Sequence, residues 1–275
     1  MQHAGQLITR LKARRSLWLT LGPALALWSL GVLWPERLGF FGGAGLGWVL
    51  IAQFVLRSRE RMEYQAAIRH LRHGDYEQAV AVVDALIDAQ PDVAEHRRFR
   101  GELHRLFGHL QEAAADYEHM VRLDPASPAG YLGLAEVYAQ QGIYERALDF
   151  ARQALERDSR GWMAAYNLGL IEDRLADAEE AIQHLERALS VGIPHSRYRL
   201  LARLWLARNH YRQGRTEAAR QQLERMRKQA SGVRDWRVIF ESEHAAALRA
   251  LLEADVTLAQ QLLSGEAPLE ALDGA

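Results

Sequence analysis

From residue 57 onward, apolar positions return every three or four residues and charged residues fill the intervals. That spacing gathers the apolar set on one helix face. The clearest stretch is Tyr131 to Asp158, which predicts two amphipathic helices, Tyr131–Gln141 and Ile143–Arg157, joined at Gly142. The same pattern predicts helix pairs at Arg59–Leu71 with Tyr76–Ala89, and at Val93–Phe107 with Leu110–Leu123. It predicts further pairs at Trp162–Leu175 with Ala178–Val191, and at Arg197–Gln213 with Thr216–Ala230. Val233–Ala254 and a short Val256–Leu263 follow, and the tail Ser264–Ala275 is expected to be disordered. Before residue 57 the pattern changes: residues 16–34 and 38–56 hold no charged side chain and are separated by Pro35, Glu36 and Arg37.

The helix pairs repeat. Alanine stands at Ala79, Ala113, Ala147 and Ala181, thirty-four residues apart, and again at Ala219 after a step four longer. Twelve residues before each is another small residue: Ala67, Gly101, Ala135, Gly169 and Ala207. Five before each is a turn position: Gly74, Gly108, Gly142, Ala176 and Gly214. Pro91, Pro125 and Pro194 mark breaks between pairs. Small residues let two helices approach closely, glycine closes a helix in a left-handed turn, and proline cannot continue one. A pair alone leaves an apolar face wet, so pairs must stack.

This period and these spacings resemble the tetratricopeptide repeat. The resemblance implies an all-α fold with a right-handed α-solenoid, here five repeats over residues 57–231 and a degenerate sixth repeat or capping helices over 232–263. It also implies that the first helix of each hairpin lines a concave, protein-binding groove. Carried onto this chain, the groove positions are Arg98, Glu102 and Arg105, then Glu136 and Gln140, then Tyr166, Asn167, Asp173 and Arg174, and finally Arg208, Tyr211 and Arg212. Arginine outnumbers acid there, and a guanidinium grips carboxylates with two parallel bonds. The expected occupant is therefore a protein segment carrying acidic residues. Asn167 stands where chaperone-tail-binding members keep a clamp asparagine, but Leu201 and Trp205 stand where that clamp has basic residues.

The uncharged runs change the picture of where the chain resides. Each would rise about 28 Å as a helix, against a hydrocarbon core about 30 Å thick. The expectation is a two-helix transmembrane hairpin over 16–56, after a basic segment at 1–15. Gly39, Gly43 and Gly47 form a small-residue stripe suited to packing between spans. Arg10, Lys12, Arg14 and Arg15 before the runs, and Arg57, Arg59 and Arg61 after them, place both termini and the repeats in the cytoplasm by the positive-inside rule. A cleaved signal peptide is the competing reading of the first run, but the run is longer than a signal core and lacks a small-x-small exit. The layout resembles bacterial adaptors tethered to the cytoplasmic membrane.

Composition excludes several classes. The 275 residues carry a net charge of −1, which argues against a nucleic-acid binder. The chain has no cysteine, so disulfides and thiolate chemistry are excluded. No catalytic motif is present. His70 with His73 and His104 with His109 have no third ligand at metal spacing. No catalytic residue, metal or cofactor is assigned, and the chain is expected not to be an enzyme. The expected function is a membrane-anchored adaptor or scaffold that holds a protein segment in its groove. The alternative is a structural subunit of a membrane complex assembled through the two spans.

Overall fold

Among the described residues, the apolar period of 3.6 that marks the sequence is realised as helix. The computed structural model describes residues 60–273, and before them residues 21–30, 32, 33, 36, 44, 46, 48 and 49. Residues 21–30 (α1) and 60–72 (α2) are helical. They are followed by α3 (Tyr76–Ala89), α4 (Ala94–Leu106), α5 (Leu110–Leu123), α6 (Ala129–Gln140) and α7 (Tyr144–Arg157). Then come α8 (Trp162–Arg174), α9 (Ala178–Val191), α10 (Ser196–Arg212), α11 (Thr216–Arg227), α12 (Ser231–Phe240) and α13 (Ala246–Ser264). Short 3-10 turns lie at Glu243–Ala245 and Leu269–Leu272.

The expected integral-membrane location is overturned. No helix among the described residues is long and apolar enough to cross a membrane. Most of the expected spans 16–34 and 38–56, with Gly39, Gly43 and Gly47, lies outside the described residues.

The chain divides into two compact units, residues 1–100 and 101–275. In the first, Ala67 of α2 and Ala79 of α3 are fully buried. Tyr64 stacks edge-on against Phe99, with ring centres 5.0 Å apart, and its hydroxyl meets His96 Nδ1 at 2.5 Å. Gln90 Nε2 donates to Glu60 Oε1 at 2.7 Å.

In the second unit, α6 pairs with α7, α8 with α9, and α10 with α11, and each pair stacks on the next. The small residues sit at the crossings: Ala135, Ala147, Ala181, Ala207 and Ala219 are all fully buried. Gly169 shows why size matters, since a Cβ there would stand 2.4 Å from Leu185 Cγ. The turn between α8 and α9 is the exception to the glycine rule. Ala176 adopts φ 58°, where the corresponding Gly142 has φ 74°. The chain still closes the helix in the same way: Asp177 N donates to Glu172 O at 2.9 Å, as Ile143 N does to Tyr138 O.

The C-terminal region departs from expectation. The sequence suggests a break at Asp255, but the break falls between α12 and α13, and α13 runs unbroken through Asp255. Besides α12, α13 packs against α6, α10 and α11. It therefore lies across the first helices of the hairpins, burying Leu252, Asp255, Val256, Leu258 and Ala259. The expected disordered tail is also corrected. Residues Leu269–Leu272 form a 3-10 turn beside α10, and Leu272 is fully buried. The apolar Leu272 side chain anchors the segment.

Candidate protein-binding groove

The face built by α6, α8 and α10 holds most of the groove residues expected from the sequence, and α13 covers part of it. The first element is a buried ionic cluster. Asp173 lies in the last turn of α8, and its carboxylate receives Arg208 Nη1 at 2.7 Å, Asn209 Nδ2 at 2.8 Å and Arg174 Nη1 at 2.9 Å. Arg212 Nη1 donates to the Asp173 carbonyl at 3.0 Å. The opposite wall is Asp255 of α13. It accepts Arg208 Nη2 at 2.5 Å, Trp205 Nε1 at 2.8 Å, and a short bond from Arg174 Nη2. Burial opposes ionisation of Asp255, but Arg208 and Arg174 outweigh it and hold the carboxyl below its usual range.

The acidic occupant expected for Arg174 and Arg208 is thus supplied by the chain itself. Arg208 is only 1% exposed. Trp205 is fully buried and tied to Asp255. Tyr211 packs at the margin of the same core. Arg98 lies in the first unit, where it forms an ion pair with Glu95 at 2.5 Å.

The second element is a cavity of ≈ 290 Å³ between α6, α8 and α13. Such a volume sits at the small end of the range for ligand pockets, about 300–1,000 Å³. Of the expected groove residues, it brings together Glu102, Arg105, Glu136, Gln140, Tyr166 and Asn167. Its polar end is organised by Arg105, whose Nη2 donates to Glu102 at 2.6 Å and lies 3.4 Å from Glu136. Asn167 Nδ2 reaches Glu136 Oε1 at 3.4 Å. Burial pushes the Glu136 carboxyl above its usual range, with Glu102 adding to the shift and Arg105 opposing it. Arg105 Nε, Gln140 Oε1 and the Tyr166 hydroxyl are buried there without a hydrogen-bond partner.

The apolar end holds residues outside the expected set. Trp162, Tyr198 and Trp236 form a chain of ring contacts, 5.4 Å between the first two and 5.6 Å between the last two. Leu248 and Leu251 of α13 face them across the cavity. The aromatic residues were visible in the sequence; the leucines were not assignable, because α13 was not expected to cross this face.

Among the described residues, one group has the spacing to hold a metal. Glu172, Glu180 and His184 place ligand atoms within 4.8 Å of one another. The hydrogen bond between His184 Nδ1 and Glu172 Oε2, 2.7 Å, accounts for the contact. It joins α8 to α9, so spacing along one helix could not reveal it.

These stacked pairs define a helical-repeat protein that presents a groove. A sequence family described as Tetratricopeptide repeat matches residues 64–128, 107–161 and 132–195, and a second of the same description matches residues 174–237. The chain belongs to the tetratricopeptide repeat family. A crystal structure of MamA is similar at 19% identity and a TM-score of 0.52, covering 60% of this chain and 94% of that one. TTC0263, a thermophilic tetratricopeptide repeat protein of Thermus thermophilus, is similar at 22% identity and a TM-score of 0.52, covering 69% of this chain and 98% of that one. At such identities the likeness shows the fold alone. No curated protein matches the chain.

Proposed function

We propose that this chain is a tetratricopeptide-repeat adaptor that binds a segment of another protein in the cleft between α6, α8 and α13. The observation that carries the reading is the cavity itself, where an aromatic wall meets buried polar atoms that lack partners. Unpaired buried donors and acceptors cost free energy until something satisfies them, and a peptide brings both kinds. Glu102, Arg105, Tyr166 and Asn167 are the contact residues in this reading. Arg174, Arg208 and Arg212 act instead as the frame that holds α13 in place. The role is binding, with no chemical step.

The test is a displayed peptide library selected against the full chain, with enriched peptides then measured on the wild type and on Met163→Trp. Met163 is 39% exposed at the cavity mouth, so a larger side chain blocks entry without entering the core. Affinity is expected to fall at least tenfold in a variant whose circular dichroism is unchanged. Equal binding by the variant, or no enriched peptide, overturns the reading.

A further inference from the structure

We propose that the cleft selects a segment that pairs an apolar anchor with a lysine or arginine, rather than the acidic segment that the arginine-rich sequence suggests. This rests on the adaptor reading above and specifies its partner.

The argument begins with where the charges are spent. Arg174 and Arg208 are bound to Asp173 and Asp255, and Arg212 to Asp173, beneath α13. The cleft keeps Arg105 as its cation, set against both Glu102 and Glu136. One guanidinium cannot neutralise two carboxylates, so the lining carries a surplus negative charge. Accessibility points the same way. The Glu102 side chain is 43% exposed and that of Glu136 24%, while that of Arg105 is 19%. An incoming segment therefore meets carboxylate before guanidinium.

Hydrogen-bonding capacity adds to this. Gln140 Oε1 is a buried acceptor without a donor. An ammonium or guanidinium group offers donors only, so it suits this atom and the carboxylates together. Arg105 Nε, a donor, is left for a peptide carbonyl. The rings of Trp162, Tyr166 and Tyr198 complete the site, since aromatic faces attract a cation and cover its aliphatic stem. An acidic side chain would meet the same carboxylates with no unspent cation to receive it.

The experiment uses the full chain and three fluorescent peptide libraries, identical in a fixed aromatic anchor and differing in the adjoining positions: lysine and arginine, aspartate and glutamate, or serine. Binding is read by anisotropy. The basic library is expected to bind at least tenfold more tightly than the acidic one, with serine between them. In the doubly substituted Glu102→Gln, Glu136→Gln chain, which keeps side-chain volume, that preference is expected to disappear. If acidic or serine peptides bind as tightly as basic ones, the charge assignment is wrong while the adaptor reading stands. If the preference survives the double substitution, these two carboxylates do not cause it and the proposal falls. If no library binds, the adaptor reading falls with it.

Discussion

Arg208 donates to Asp255 at 2.5 Å, joining the last complete helix hairpin to the helix that lies across it. The same guanidinium donates to Asp173 at 2.7 Å, so α8, α10 and α13 meet at one buried side chain. Removing one partner of such a pair strands the other charge away from water. Asp255→Ala should cost about 3–5 kcal/mol, measured by urea unfolding. Asp255→Asn, which keeps the volume and an acceptor, should cost less. A loss under about 1 kcal/mol for the alanine variant would mean that α13 is held by apolar contacts alone.

The same carboxylate sets a pH dependence. Its folded-state pKa is depressed, so its contribution is complete above the unfolded value, about 3.9. It is lost as pH falls through the lower folded value. The wild type should therefore lose thermal stability below about pH 4 more steeply than Asp255→Asn.

Glu172 works in the opposite direction. Burial raises its pKa despite the bond from His184, so ionising it in the folded protein costs stability. That cost appears as pH rises above the unfolded value, about 4.3. Glu172→Gln, which can still accept from His184, should flatten this decline in a melting series across pH.

Ala176 holds a left-handed conformation at φ 58°. A Cβ there costs roughly 1–2 kcal/mol, partly offset by the smaller entropy an alanine loses on folding. Ala176→Gly should stabilise the chain by roughly 0.5–1 kcal/mol. At Gly169 the effect reverses, because the added methyl would meet Leu185 at 2.4 Å. Gly169→Ala should cost about 1–3 kcal/mol. Chemical denaturation of both variants checks the pair.

These two positions also show how far the sequence can be read. Small residues at a fixed offset report helix crossings directly, because only a missing side chain allows the approach; Gly169 and Ala207 were legible for that reason. The turn at Ala176 was legible from its register, although alanine is the wrong residue for it. The C-terminal helix was not legible. Asp255 interrupts an apolar pattern and reads as a solvent position, and only partners distant in the chain, Arg174 and Arg208, make its burial possible. The groove arginines misled for the same reason: their abundance suggested an external acid, while the acids for Arg174, Arg208 and Arg212 are Asp173 and Asp255 of the same chain. The uncharged runs at 16–34 and 38–56 have the composition of spans, and most of both lies outside the described residues. No helix among the described residues has the length and apolarity to cross a membrane.

The most direct measurement is amide hydrogen exchange on the full chain, alone and saturated with the tightest basic peptide from the libraries. Binding in the cleft predicts added protection on α6, on α8 and on the part of α13 around Leu248 and Leu251, with α7, α9 and α11 unchanged. Protection confined to those outer helices, or none at all, would contradict the account.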